Sequence, residues 1–306
     1  MTFEEFATSK GLIINQYIVS GKWLRFSTFN HPHKRNGSLK LDESGMIGWV
    51  RDWASDECHT WKANLEHSKK FIYDPFAHAR RNHKIKEEQK QAKEKALAYY
   101  TASSLLQGSH PYLEKKILAV EGCSDLRVDA NGNLVIPILD RRMNLQSLQL
   151  IDPIGQKKFW PGAKVKEGFF LLRRKQNSMT ILCEGFATGL TLFQAIPESN
   201  VVICFSASNL IAVAKMSKTN IIIASDNDKQ TELKTGKNPG VEASNKCRLL
   251  LNCRVMIPNC QLGTDWNDLR NEILRDLQDQ NRYKNLRNFD PVKQANEKIS
   301  QLFRWG

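Results

Sequence analysis

Two short apolar runs in the C-terminal half end in carboxylates, where ordinary turn residues would be expected. Ile181-Leu182-Cys183 runs into Glu184-Gly185, and Ile221-Ile222-Ile223-Ala224-Ser225 runs into Asp226-Asn227-Asp228. Runs of this length, rich in Ile and bounded by turn signals, read as buried strands. After Asn177 strand and helix patterns alternate. Strands are predicted near 179–183, 200–205, 220–225 and 253–257, and helices over 187–196, 208–216 and 240–252. This order implies crossover connections and therefore a parallel, doubly wound α/β sheet. Open sheets of this kind carry their chemistry just beyond the carboxyl ends of the strands, where the three acids stand.

The charge balance narrows the partner. Lys and Arg number 45 against 32 Asp and Glu, a formal net charge of +13, which favours a polyanion. Arg141, Arg142, Lys157, Lys158, Lys164, Lys166, Arg173, Arg174 and Lys175 gather in one segment, which turns the expectation toward nucleic acid. Arg141, Arg142, Lys158, Arg173 and Arg174 are its candidate DNA contacts. No apolar run approaches membrane-spanning length, and the first residues lack the order of a signal peptide, so a cytoplasmic protein with no membrane partner is expected. The seven cysteines are scattered without a CxxC pair, which excludes a disulfide framework and a zinc ribbon. Cys183 and Cys204 read as buried thiols. His31, His33, Cys58 and His59 match no standard finger spacing, and zinc is not expected.

Five segments are predicted. Residues 1–75 form a small β-rich module, 76–120 a helical connector with a charged helix over 76–107, and 121–177 a basic β-rich part. Residues 178–272 are the α/β catalytic domain and 273–306 a helical tail. In the first module Trp23, Phe26, Trp49, Trp53 and Trp61 read as the core of a domain with few aliphatics. Arg25 and Arg51 remain candidate contacts to the DNA backbone.

Asp226 and Asp228, two apart at a strand end, point to one face if the extended chain continues through them. Two converging carboxylates make a hard-oxygen site suited to Mg²⁺, which keeps waters and substrate phosphates as further ligands. Glu184 can complete it as a ligand or proton acceptor. Lys229, Lys237 and the helix start at Gly240 are candidate phosphate contacts. Asn209 can face the site or cap its helix.

Glu184-Gly185 and, some forty residues on, Asp226-x-Asp228, each behind a hydrophobic strand, resemble the Toprim domain of bacterial-type primases, topoisomerases and some nucleases. Glu184-Gly185-Phe186-Ala187-Thr188-Gly189, Ser206-Ala207-Ser208-Asn209, Asn238-Pro239-Gly240 and Thr264-Asp265-Trp266-Asn267-Asp268 resemble the primases of plasmids and satellite phages. Upstream, His110-Pro111-Tyr112-Leu113 and Lys158-Phe159-Trp160-Pro161-Gly162 fit the same order. The resemblance implies RNA primer synthesis from ribonucleoside triphosphates on single-stranded DNA with Mg²⁺ or Mn²⁺. Asp226, Asp228 and Glu184 would be ligands, with Glu184 as ligand or general base. Asp268, and less surely Asp265, would be an extra carboxylate or a helix cap. Thr188 stands where many Toprim proteins carry an acid. No Gly-x-x-x-x-Gly-Lys-Ser/Thr occurs, so priming would need a replicative helicase in trans or an already exposed single strand. The alternatives are a Toprim nuclease and a non-catalytic single-strand-binding accessory protein.

Overall fold

The computed structural model describes residues 1–55, 57–63, 77–120, 123, 125–174, 179–217, 220–284 and 289–304. They fall in two compact units, Met1–Asn82 and His83–Gly306. Lys175 and the expected boundaries at 75/76 and 177/178 lie outside the described residues.

In the first unit, α1 (Phe3–Ser9) precedes β1 (Leu12–Ile13), β2 (Leu24–Thr28), β3 (Gly37–Leu41), β4 (Ile47–Asp52) and β5 (Glu57–Lys62). The strands pair antiparallel in chain order. Helix α1 is too short to announce itself by periodicity. Its start is a capping box in which Thr2 and Glu5 satisfy each other's backbone N–H groups. The core is Phe3, Ala7, Leu12, Phe26, Leu39 and Val50. The expected aromatic core holds for Phe26, and Trp61 packs against it, but it is corrected at Trp23 and Trp53, which are 54% and 49% exposed. The reason is the strand alternation. Register sets Arg25 opposite Ser38 and Ser38 opposite Arg51, a row on the outer face, while Leu24, Leu39 and Val50 turn inward. Trp53 lies across that row. Its indole N–H donates to Ser38 Oγ at 2.9 Å, and the Arg25 and Arg51 guanidinium carbons stand 4.8 and 3.9 Å from its ring centre.

Helix α2 (Ala77–Ala102) leads to β6 (Ser104–Leu105), α3 (Pro111–Lys115), β7 (Arg127–Val128), β8 (Leu134–Leu139), β9 (Leu145–Ile151) and β10 (Lys157–Phe159). These strands form an antiparallel sheet of order β10-β9-β8-β7-β6. Three aspartates make its tight turns. Asp129, Asp140 and Asp152 each accept backbone N–H bonds from residues two to four ahead, an Asx-type closure repeated at successive hairpins.

The third sheet holds β11 (Phe170–Leu172), β12 (Met179–Cys183), β13 (Ser199–Ile203), β14 (Ile221–Ala224) and β15 (Arg254–Met256). Between them run α4 (Phe186–Ala195), α5 (Ala207–Ala214), α6 (Lys229–Thr235) and α7 (Pro239–Leu251), and α8 (Trp266–Lys284) and α9 (Pro291–Arg304) follow. The order is β11-β13-β12-β14-β15; β11 is antiparallel to β13 and the other four strands are parallel. Strand β12 is central. The chain leaves it for β13 on one side and returns to β14 on the other, so the carboxyl ends of β12 and β14 flank the switch point. Helix α6 is the one helix of this region that the spacing does not predict. Helix α8 runs unbroken through residue 272, and α9 lays Ile299 and Phe303 into the main core, the Phe303 ring 4.9 Å from that of Trp266.

Helix α4 lies close on β13 because Gly189 lacks a side chain: a Cβ there would fall 2.4 Å from Ile203 Cγ1. Gly189→Ala is expected to destabilise the chain by about 1–3 kcal/mol, read as a lowered midpoint in urea unfolding. An unchanged midpoint would show that α4 moves outward freely.

Candidate active site

Glu184 leaves β12 beside Gly185, the N-cap of α4, and Asp226 and Asp228 leave β14 ahead of α6. Between the two aspartates Asn227 turns the other way. Its amide donates to the Pro258 carbonyl at 3.0 Å and accepts from Asn238 at 3.1 Å. Asp226 and Asp228 are left within electrostatic reach of Glu184 and of each other. Desolvation, with Asp228 second, raises the Glu184 carboxyl to about 7. Desolvation also pushes Asp226 well above the carboxylate range, reinforced by Glu184, Asp265 and Asp228. Thr188, buried at the position where an acid was sought, donates to Asp226 Oδ1 at 3.5 Å.

Asp265 joins this group more directly than Asp268. Burial raises its carboxyl, and its charge is felt at Asp226. It also caps α8, accepting the Asp268 N–H at 2.9 Å. Asp268 Oδ2 accepts from the Thr264 N–H at 3.0 Å, and Oδ1 faces Lys116 Nζ at 3.4 Å. Capping and metal binding were weighed as rivals for these residues; Asp265 caps the helix and faces the acids at once.

Two lysines counter the acids. Strand β10 sends Lys157 to one face and Lys158 to the other. Desolvation lowers the Lys157 ammonium, while Asp265 and Asp226 hold it up. Lys116 follows α3, and its carbonyl is held by Asn267 Nδ2 at 2.9 Å and Arg270 Nη2 at 3.2 Å. The same Arg270 nitrogen donates to the Ile117 carbonyl, and Ile117 sits at φ 54°, a costly conformation for a β-branched residue. The sequence reading missed both lysines as site residues. Alternation along Lys157-Lys158-Phe159 was the available signal for the first; nothing local marks the second.

Other expected contacts separate. Asn209 is a correction: its side chain accepts from the Glu167 N–H at 2.6 Å and donates to the Gly168 and Cys204 carbonyls at 2.7 and 2.8 Å, so it is a buried clamp with no group left for a phosphate. Lys229 Nζ donates to Asn259 Oδ1 at 3.2 Å. Lys237 lies exposed between α6 and α7. Gly240 gives α7 its close approach to the site, since a Cβ there would fall 2.5 Å from the Asp226 carbonyl oxygen. The basic segment does not form one surface. Arg141 and Arg142 occupy the β8–β9 turn, while Lys158 pairs with Leu150 near the far end of β9, roughly 17 Å away along the strand. Arg173 and Arg174 follow β11 at the amino end of the parallel sheet, opposite the acids, and Arg174 stacks on Phe193 at 4.1 Å.

Glu184 ionises at about 7 in the folded chain against an ordinary 4.5, so between these values the folded chain holds a proton the unfolded chain has released. Stability of the metal-free chain therefore falls as pH rises through this window, by up to about 3 kcal/mol for this group. Glu184→Gln, and by the same sign Asp226→Asn, should raise the metal-free Tm at pH 8 and leave it nearly unchanged at pH 4. Equal shifts at both values would sink this account. Asn209→Ala, which strands three buried backbone groups, should cost about 2–4 kcal/mol in urea unfolding.

Residues 179–276 match the Toprim domain family. The chain is 30% identical over 141 residues to a DNA primase TraC of Escherichia coli, covering 42% of this chain and 13% of that protein. A second DNA primase TraC of Escherichia coli is 27% identical over 159 residues, 48% of this chain and 11% of its own length. The matches thus span only a small part of these relatives. Among solved structures, the primase fragment of the bacteriophage T7 primase-helicase protein aligns at TM-score 0.41 and 15% identity, over 85% of this chain and 99% of its own. The zinc-binding and RNA polymerase domains of the Aquifex aeolicus primase align at TM-score 0.33 and 14% identity, over 98% and 82%. Residues 179–276, with their acids at the switch point of a parallel sheet, are a Toprim domain, in a chain whose sequence is similar to DNA primases TraC.

Proposed function

We propose that the chain is a DNA primase. It joins ribonucleotides into short RNA primers on a single-stranded DNA template by metal-dependent nucleotidyl transfer, serving replication of a plasmid, phage or other mobile element. The observation that carries this reading is the half-buried group Glu184, Asp226 and Asp228, with Lys157 facing it, within a Toprim domain. Likeness to DNA primases TraC favours synthesis over cleavage.

The donor set is all carboxylate oxygen. Mutual repulsion among Glu184, Asp226, Asp228 and Asp265 is the surplus of negative charge that Mg²⁺ or Mn²⁺ relieves. Among the described residues no three such side chains form a ready metal group. Mg²⁺ needs only one or two carboxylates beside waters and substrate phosphates. Asp226 and Asp228 would hold it, with Glu184 adjoining and Asp268 at the margin. The bound ion would activate the attacking hydroxyl oxygen and neutralise charge on the departing pyrophosphate.

A primer 3′-hydroxyl attacks the α-phosphate of the ribonucleoside triphosphate; a new P–O bond forms and the bond to pyrophosphate breaks. Glu184, adjoining the ion, would take the hydroxyl proton as general base. Lys157 and Lys116 offer positive charge to the triphosphate, with Lys237 and Lys229 at the α6 side. Arg25 and Arg51 beside Trp53, and Arg141, Arg142 and Lys158, are the proposed contacts to the template. A replicative helicase acting in trans would supply the single strand.

The test is incubation with single-stranded DNA, labelled ribonucleotides and Mg²⁺ or Mn²⁺, beside an Asp226→Ala/Asp228→Ala control. Short RNA products that fall at least 100-fold in the control are expected. DNA fragments without synthesis would replace this reading with a nuclease, and DNA retention alone would replace it with a binding protein.

A further inference from the structure

Strand β10 brings a second side chain to the acidic site. Phe159 lies two residues after Lys157 and so shares its face of the strand, while Lys158 and Trp160 take the other. Trp160 packs on Tyr99 with ring centres 4.7 Å apart. Phe159 instead reaches across to Phe205, ring centres 6.2 Å apart at 84°. Phe205 stands one strand over from Glu184: its N–H donates to the Glu184 carbonyl at 2.8 Å, extending the β12–β13 ladder past the strand ends.

Two details separate this pair from ordinary packing. Phe205 sits at φ 68°, in the left-handed region that a bulky side chain seldom occupies, and such strain gathers at ligand sites. Phe159 is 42% exposed although its partner packs against the main core. An edge-to-face contact leaves at least one face of each ring outside the pair. The result is an uncharged aromatic surface beside clustered carboxylates and a lysine.

Resting on the primase reading, we propose that Phe159, braced by Phe205, is the seat on which the base of the bound ribonucleoside triphosphate stacks. Lys157 and the Mg²⁺ that the carboxylates would hold take the phosphate end; the ring takes the π-face that every base carries. Stacking of a base on an aromatic side chain contributes about 1–3 kcal/mol, or roughly 5- to 150-fold in affinity. Because every base has such a face, the seat would accept all four ribonucleotides and favour purines.

The test is equilibrium binding of ATP and of inorganic tripolyphosphate, each with Mg²⁺, to the full chain and its Phe159→Ala and Phe159→Trp variants. Phe159→Ala should weaken ATP about 5- to 150-fold and leave tripolyphosphate unchanged, and Phe159→Trp should restore ATP. Equal ATP affinity in the wild type and Phe159→Ala would overturn the seat while leaving the primase reading intact. So would a parallel loss of tripolyphosphate, which marks general damage to the site. Failure of the wild type to bind ATP at all would overturn the primase reading itself.

Discussion

Strand β12 is hydrogen-bonded in parallel to β13 on one side and β14 on the other, and the site hangs from that double register. Cys183 lies opposite Ile203 and opposite Ala224, so the three strands end level. Glu184 and Asp226 then emerge from neighbouring strand ends, on the same side of the sheet. Ile181, Leu182 and Cys183 are all buried, so shifting β12 by one residue would exchange both faces of the central strand. With about 2 kcal/mol in each buried aliphatic side chain, the apolar core enforces a placement that the carboxylates resist.

That resistance is visible in the site. The carboxyls of Glu184, Asp226 and Asp265 are all raised, by burial first and then by a neighbouring carboxylate: Asp228 for Glu184, Glu184 for Asp226 and Asp268 for Asp265. The compensating lysines come from elsewhere in the chain. Lys157 arrives on the edge strand of the antiparallel sheet, and Lys116 on a loop whose carbonyls are held by the fully buried Arg270. The parallel sheet thus supplies the negative half of the site and the region before it the positive half.

Elements whose cause is local were readable in the sequence: four parallel strands, three of the helices between them and the three acids. Features whose cause is distant were not. Asn209 looks like a cap beside a site, and only the fold reveals Glu167, Gly168 and Cys204 around it. The basic run from Arg141 to Arg174 is continuous in sequence, yet a hairpin and a sheet edge carry its members apart. Trp23 and Trp53 read as core because aromatic content was counted without the outward phase of β2 to β4. Lys116 carries no local mark, since its place depends on Asn267 and Arg270 some 150 residues on.

Asp265 is both the cap of α8 and a member of the acidic group. Its charge therefore sits in two equilibria, the winding of the first helical turn and the electrostatics of the cleft. The same turn carries Asn267 and Arg270, which grip the Lys116 loop. One end of α8 thus touches both walls of the cleft, Asp265 beside the acids and Asn267 and Arg270 on the Lys116 loop. A single helical turn therefore carries both a carboxylate of the acidic group and the clamp on the loop that bears the opposing lysine.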